Sequence, residues 1–293
     1  MIADGSIRYL SGLAVERIDE ASDSVSVKVI RLREKSKEEM VFKRIFVGAG
    51  PINTARIVLN SLSMINIPVK MLESQKFILP LLRFKGNPHV FDENGVTLPN
   101  GLIILKAEKE SDHWLQVQLS PANDMVFKKL NINPTTLSRP LKRALATGLG
   151  RLIIGWGSLH SDQSSSFSIK LLDKKIDGYS PIDVQAYKNS EFVQTFKAIS
   201  KKFMANSSAL KMLPLSPLAR RSPPGHGNHY GGIFPMHDKP VEKWHSDRLG
   251  RPGGLRRLHI IDSATFPSVP GMTIALILMA NANRIGCEAP IED

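Results

Sequence analysis

The chain has 293 residues, of which 42% are apolar, so it can bury a sizeable core and is not disordered as a whole. A single cysteine, Cys287, excludes the internal disulfide framework that staples small secreted domains. The formal charge of +12 attracts anions, but the basic residues are spread along the chain without the aromatic platforms or zinc-finger spacing of nucleic-acid binders.

Targeting and membrane signals are also missing from the sequence. No apolar run approaches the roughly 20 residues of a membrane span, and the first residues lack the basic and apolar regions of a signal peptide. We therefore expect a soluble, cytoplasmic protein with no membrane span and no nucleic-acid partner. A basic surface that binds nucleic acid is a minor alternative, and it would require strongly salt-dependent binding to DNA or RNA.

The N-terminal segments predict strands followed by a helix. Residues 6–18 and 25–33 alternate apolar and polar side chains, and residues 40–47 become continuously apolar at their end. A small-residue turn then leads into a helical pattern at 54–62, an order typical of the nucleotide-facing element of open α/β sheets. Gly48-x-Gly50 also resembles a dinucleotide fingerprint, but Asn53 stands where that pattern requires glycine, so an ordinary tight turn is an equal alternative.

The middle of the chain predicts an antiparallel sheet flanked by helices. Short apolar segments between turns rich in proline, glycine and asparagine indicate strands, and longer amphipathic segments indicate helices. The predicted strands are 77–84, 102–107, 114–119, 151–159 and 166–172, and the predicted helices are 138–150 and 189–205.

The C-terminal part opens with residues 213–240, which are rich in proline, glycine and histidine and have no period. A strand at 257–262, a turn through Pro267 and Pro270 and a helix at 273–285 follow. The helix is apolar nearly all round, so we expect it to be buried. Its first turn would offer unpaired backbone N–H groups to an anion or to a negatively charged ring. A core helix without a ligand is the alternative.

Five of the eight histidines lie between residues 226 and 259. Their spacing matches no zinc motif and no cysteine accompanies them, so no metal site is predicted. His229 differs from the others because it lies in the glycine-rich segment Pro224–Gly232, where small residues let a ligand approach closely. A histidine there suits a general base near neutral pH, and a surface-loop histidine is the alternative.

Three blocks of the sequence carry a resemblance to a known family. The first block along the chain is the turn and helix start Ala49–Arg56, and the second is His229–Gly232 with Phe234–Met236. The third and strongest is the C-terminal block, which contains Asp262-Ser263, Phe266-Pro267, Pro270-Gly271, Met279–Ala282 and Arg284-Ile285. With these blocks in this order and spacing, the sequence resembles the glucose–methanol–choline (GMC) family of flavin-dependent oxidoreductases.

The resemblance implies an enzyme that binds FAD and oxidises the CH–OH group of an alcohol to a carbonyl. His229 would accept or stabilise the alcohol proton while a hydride passes to the flavin. The backbone of Thr273 and Ile274 would face the pyrimidine edge of the flavin ring. The other implied contacts with FAD fall on Val15, Ala49, Asp262 and Ser263.

Two departures from the family pattern matter. Thr273 occupies the position of the family's second catalytic residue, a histidine or asparagine, and a threonine hydroxyl cannot serve as a base at neutral pH. Either His229 then works largely alone or the chain is a weak catalyst. The sequence also has no good copy of the GxGxxG segment that cradles the FAD pyrophosphate, so it resembles a C-terminal portion of the family.

These observations predict a mixed α+β and α/β fold, with part of a Rossmann-like FAD-binding domain and an antiparallel-sheet substrate domain. Residues 1–62 and 213–293 would belong to the first domain, and residues 63–212 to the second. The predicted function is FAD-dependent oxidation of an alcohol or sugar-like substrate, with a further chain supplying the missing flavin-binding half. The alternative is a non-catalytic fragment, or a subunit that needs a partner chain to complete the flavin site.

Overall fold

The computed structural model of the chain describes residues 5–91, 99–109, 111–176 and 179–289. The fold is mixed α/β, with mostly antiparallel sheets and a few helices, and this confirms the predicted class. Parts of the predicted domains lie outside the described residues, namely 1–4, 92–98, 110, 177–178 and 290–293. None of the helices in the described ranges has the length and apolar character that crossing a membrane requires.

The N-terminal strands form an antiparallel sheet with the order β1-β2-β3. They are β1 (Leu13–Glu20), β2 (Val25–Arg31) and β3 (Lys37–Phe42). The prediction of a strand from residue 6 is wrong for residues 6–12, which are exposed and belong to no strand. Gly12, at φ 73°, turns the chain just before β1, so the alternating side chains ahead of it have no neighbouring strand to pair with.

The predicted strand at 40–47 is divided between two sheets. After β3 the chain turns at residues 43–44 into β4 (Ile45–Val47), which pairs in parallel with a strand formed by residues 258–260. Helix α1 (Pro51–Ser61) follows and begins earlier than the pattern predicts. Gly50 at φ 79° precedes it, and the fixed φ of Pro51 suits a first helical position.

The middle of the chain contains all the strands and helices predicted there, with shifted ends, and several short elements that the pattern does not predict. The strands are β5 (Pro68–Ser74), β6 (Lys76–Arg83), β7 (Gly101–Lys106), β8 (Trp114–Pro121), β9 (Leu152–Ser158), β10 (Ser166–Leu171), β11 (Ile182–Tyr187) and β12 (Met212–Pro214). The helices are α2 (Asp124–Lys129), α3 (Arg139–Leu149), α4 (Glu191–Ala205) and α5 (Ser207–Leu210).

The C-terminal elements return the chain to sheets that earlier segments began. They are β13 (Arg220–Arg221), β14 (His229–Gly231), β15 (Leu258–Ile260) and α6 (Ala275–Glu288). One antiparallel sheet has the order β11-β10-β5-β14, and another has the order β12-β6-β9-β8-β7 with β13 on β6. β15 pairs in parallel with β4, so the pair forms the parallel part of the fold.

Two apolar cores fill these layers. The first contains buried residues of β1, β2, β4, α1 and β15, and it also takes Val69 of β5 and Ile169 of β10. The second lies between β6, β8, β9 and the apolar side of α4, around Phe77, Leu79 and Ile199. Strands of the predicted substrate domain therefore share a core with the N-terminal elements, and the proposed division at residue 63 stays a prediction.

Helix α6 is not buried, which corrects the expectation from its composition. Leu276, Ile277 and Met279 are 79%, 52% and 65% exposed. The helix packs on the described part of the chain through Leu278, against a small cluster that includes Val269, and through Ile285 near its end. An apolar sequence shows what a helix can bury, but burial also needs a covering element, and no described element covers this face.

Candidate functional site

The glycine-rich loop before β14 is held by one buried carboxylate. β14 pairs antiparallel with β5, and this places His229 opposite Ser74. The backbone N–H of Gly225 donates to Glu73 Oε2 at 3.1 Å, and that of Gly227 donates to Glu73 Oε1 at 2.6 Å. A Cβ at Gly227 would lie 2.6 Å from the same carboxylate oxygen, so this close approach requires glycine. The loop that carries His229 is thus fixed at its base.

His229 has the properties of a neutral base in a partly dry place. Its Nδ1 is buried and has no hydrogen-bond partner among the described residues. Burial lowers the pKa of the imidazole, and the nearby charge of Lys76 lowers it further. The ring is therefore neutral at pH 7, with a lone pair that nothing in the described chain uses.

A cavity of about 400 Å³ opens beside His229. Its wall includes Lys76 at the start of β6, Gln116 of β8, Trp156 of β9 and the turn Gly271–Thr273. The structure therefore places His229 and Thr273 at one cavity. The volume lies within the range of about 300–1,000 Å³ that is typical of small-molecule sites.

The turn that carries Thr273 packs closely against the end of β9. A Cβ at Gly271 would lie 2.7 Å from the carbonyl oxygen of Ser158 and 3.0 Å from the backbone nitrogen of His160, so no side chain fits there. Gln116 holds the turn from the other direction. Its backbone N–H donates to the Gly271 carbonyl at 3.0 Å, and its side-chain Oε1 accepts from the backbone N–H of Thr273 at 3.4 Å. The exposed hydroxyl of Thr273 is thereby placed at the mouth of the cavity.

Asp262 and Ser263 lie beyond the carboxyl end of β15, outside the lining of the cavity. Asp262 is buried, and it accepts a 2.5 Å hydrogen bond from Thr54 Oγ1 and a 2.9 Å bond from the backbone N–H of Ala264. Burial raises the pKa of this carboxyl group. Ser263 Oγ donates to the Tyr230 carbonyl at 2.7 Å. Both side chains are therefore satisfied within the protein and tie β15 to its neighbours.

The other predicted cofactor residues lie apart from the cavity too. The Val15 carbonyl accepts a 2.9 Å hydrogen bond from Arg56 Nη2, which places β1 along α1. The backbone N–H of Ala49 donates to Thr54 Oγ1 at 3.2 Å, at the start of the same helix. Ile274 is buried in the small cluster beneath α6. Of the predicted cofactor residues, Ala49 and Asp262 each follow the carboxyl end of a strand of the β4–β15 pair, the edge at which open α/β sheets bind ligands.

Sequence reasoning missed several residues that shape this site. Glu73 and Lys76 are the ones with a readable signal, because each is a charged side chain at the end of a strongly apolar strand. Gln116 and Trp156 have no such signal, since their role depends on β8 and β9 lying side by side. A larger recess of about 800 Å³ runs along residues 240–256, and none of the predicted site residues lines it.

Comparison with known proteins gives a structural likeness without a sequence likeness. No family model matches the chain, and no curated protein matches it by sequence. Among solved structures, pyridoxine 4-oxidase from Mesorbium loti is similar to 94% of this chain, with a TM-score of 0.56 and 12% identity. The match covers 57% of the length of that oxidase. At this identity the likeness shows a shared fold, so the chain has the fold of part of an oxidase.

Proposed function

We propose that the chain is the C-terminal portion of a GMC-type, FAD-dependent oxidoreductase that oxidises the CH–OH group of an alcohol. The observation that carries the proposal is the buried, unpartnered Nδ1 of His229 beside a cavity that Thr273 also lines. The structural likeness to an oxidase supports the same reaction class. The resemblance of the three sequence blocks supplies the family.

In this proposal His229 takes the hydroxyl proton of the substrate. Burial lowers the pKa of its imidazole, which favours the neutral form that can accept a proton at neutral pH. The Thr273 hydroxyl donates a hydrogen bond that orients the substrate oxygen, and it does not act as a base. FAD, when bound, would supply the two-electron acceptor for the hydride of the carbinol carbon, and the electron pair of the O–H bond would form the second bond of the carbonyl.

The residues present fit one end of such a cofactor. Asp262, Ser263, Ala49 and Val15 shape the sheet edge and the start of α1, where a nucleotide-like ligand binds in open α/β folds. Because the side chains of Asp262 and Ser263 are already paired, we propose that they set the backbone at this edge and do not lend side-chain atoms to FAD. The backbone at Thr273 and Ile274 would face the flavin ring.

We further propose that another polypeptide segment completes the flavin site. Among the described residues the parallel sheet consists of β4 and β15 alone, and the exposed apolar face of α6 has no cover. A segment with additional parallel strands would extend the β4–β15 sheet and would also provide a surface to cover the apolar face of α6. On its own, this chain should hold FAD poorly. A chain that lacks the completing segment altogether would be non-catalytic, and this is the second candidate.

The proposal is tested by co-expressing the chain with a flavin-binding half and mixing the FAD-loaded complex anaerobically with a panel of primary and secondary alcohols. Bleaching of the visible flavin band measures substrate oxidation directly. Replacing the base, His229→Asn, should slow the bleaching by a factor on the order of 10² or more.

His226→Asn is the matched control, because His226 is an exposed histidine on the same loop. It should leave the rate unchanged. Equal losses in both variants would show that the loop, and not the His229 imidazole, matters. If no alcohol in the panel bleaches the flavin, the proposed reaction is wrong, and if no flavin is bound even in the complex, the non-catalytic candidate is favoured.

A further inference from the structure

Three side chains outside the cavity converge behind the turn that carries Gly271. His113 immediately precedes β8, His160 follows β9, and Asp162 lies in the short 3₁₀ turn Ser161–Gln163. Within the described ranges, these three form a group whose potential metal-ligand atoms all lie within 4.8 Å of one another. None of them lines the cavity beside His229.

Both histidine rings aim a nitrogen at the same carboxylate oxygen. His113 Nε2 lies 3.0 Å from Asp162 Oδ2, and His160 Nδ1 lies 3.3 Å from it. Neighbouring ligands of a tetrahedral zinc ion with bonds of about 2.0–2.1 Å lie about 3.3 Å apart, so the two nitrogen–oxygen separations match a shared ion. The two rings are stacked, with centroids 3.5 Å apart and planes at 16°. Because an ion lies in the plane of each imidazole that binds it, the His113 ring has to turn out of this stack when both histidines bind one ion.

His160 and Asp162 present polar atoms to each other at short range. The backbone N–H of Asp162 and its carboxylate oxygen Oδ2 both lie 3.3 Å from His160 Nδ1. An imidazole nitrogen and a carboxylate oxygen are both zinc ligands, so an ion bound between the two side chains would contact His160 Nδ1 and Asp162 Oδ2.

The surrounding hydrogen bonds position the backbone of His113 and of the 3₁₀ turn. Ser111 Oγ accepts from the backbone N–H of His113 at 3.2 Å and donates to Gln163 Oε1 at 3.0 Å, which links the two segments. Asn189 Nδ2 donates to the Asp162 carbonyl at 2.8 Å.

One side of the group is open to solvent. His160 is buried, whereas the side chains of His113 and Asp162 are 43% and 57% exposed. An ion can therefore enter, and water can complete its coordination. The exposed His113 ring can also turn to aim its nitrogen at the ion.

We propose that His113, His160 and Asp162 form a binding site for a divalent transition-metal ion, with Zn²⁺ as the natural occupant for two imidazoles and a carboxylate. The ion would tie the start of β8 to the 3₁₀ turn. That turn holds the chain ahead of Gly271, because Ser161 N–H donates to the Val269 carbonyl at 2.9 Å and Ser161 Oγ accepts from Val269 N–H at 3.1 Å. The site would therefore stiffen the support of Thr273.

The experiment uses the full chain without a polyhistidine tag, dialysed against a chelator and then titrated with Zn²⁺ by calorimetry and with Co²⁺ by visible absorption. We expect one ion per chain, micromolar or tighter affinity, and a higher thermal midpoint with Zn²⁺ than without it. His113→Ala and Asp162→Asn should each weaken binding by at least about tenfold.

His237→Ala is the matched control, because His237 and His245 form a second close pair of rings outside this group, tilted at 30° with centroids 4.0 Å apart. It should bind Zn²⁺ like the parent chain. Absence of saturable binding would overturn the proposal, and so would unchanged affinity in both His113→Ala and Asp162→Asn. If one of these two variants fails to fold by circular dichroism, the other decides the question, since both side chains are substantially exposed.

Discussion

At the scale of single residues, the unusual group beside the cavity is the partly buried imidazole of His229, whose buried Nδ1 has no hydrogen-bond partner among the described residues. Burial penalises the charged form of His229, and Lys76 at the start of β6 adds a like charge. Both effects lower the pKa of the imidazole. A base that stays unprotonated below the usual histidine range suits proton abstraction at neutral pH.

The charge of Lys76 should therefore contribute, together with burial, to the pH below which activity falls. Protonation removes the base, so kcat/KM of the FAD-loaded complex should fall as the pH drops through the lowered pKa of His229. Lys76→Met removes the like charge, which raises that pKa and moves the acid limb of activity to higher pH. The measurement is a pH profile of kcat/KM for the parent and the variant.

Lys76→Arg keeps the positive charge and is the control for changes in the shape of the cavity. Its limb should coincide with that of the parent. A limb that stays in place in Lys76→Met would show that the group titrating in the profile is not His229.

At the scale of elements, the loop 225–228 depends on a carboxylate from the neighbouring strand. Glu73 is the buried residue before the last position of β5, and burial raises the pKa of its carboxyl group even though two backbone N–H groups favour the charged form. Because each oxygen accepts from a different glycine N–H, the loop uses both oxygens of this carboxyl group.

Replacing this residue should loosen the loop. In Glu73→Gln the amide has one acceptor oxygen, so one of the glycine N–H groups loses its partner, at a cost of about 1–3 kcal/mol in the free energy of unfolding. Urea unfolding followed by circular dichroism measures the change. Glu242→Gln, at an exposed glutamate, should leave the midpoint unchanged. Equal urea midpoints for Glu73→Gln and the parent chain would show that Glu73 does not hold the loop in place.

The elements that sequence predicts well are those whose pattern depends on neighbours along the chain. The alternation in β9 and β10 predicts strands because their inward side chains, such as Ile153 and Ile169, are every second residue. The break between β3 and β4 has no such signal, because it reflects a change of sheet partner. The meeting of His113 with His160 is equally unreadable, since it depends on β8 lying beside β9.

The residues of the candidate site also differ in whether the sequence can predict them. His229 is recognisable from its glycine-rich surroundings, and Thr273 is indicated only by the family resemblance of the C-terminal block; the structure places both at one cavity. The contacts that support them come from Glu73 and Gln116, which reach the site only through sheet pairing. Sequence thus indicates the candidate groups, whereas the groups that position them follow from the tertiary arrangement.

At the scale of the whole molecule, the exposed face of α6 is the largest departure from expectation. Leu276 and Met279 lie one helical turn apart and are both mostly exposed. Adjacent exposed apolar side chains favour association with another surface. The proposed flavin-binding segment would provide such a surface.

Polar replacements on this face should change association and leave folding intact. The double variant Leu276→Glu/Met279→Lys should keep the thermal midpoint of the parent chain, because neither side chain is buried in it. Self-association of the isolated chain, measured by light scattering, should decrease. Binding to a co-expressed flavin-binding half should weaken by at least about tenfold, or about 1.4 kcal/mol.

Leu218→Glu tests whether any exposed leucine has the same effect, since Leu218 is 57% exposed and lies elsewhere in the chain. It should leave both measurements unchanged. If the double variant associates like the parent chain, α6 is not the contact surface, and the proposed position of the completing segment is wrong.

The tight fit of Gly271 has a thermodynamic consequence. A side chain at this position would meet the Ser158 carbonyl and the backbone nitrogen of His160, and the same residue forms part of the cavity wall that includes Thr273. If Zn²⁺ bound at the proposed site changes the affinity of the cavity for a ligand, reciprocity requires that this ligand change the affinity for Zn²⁺ by the same factor.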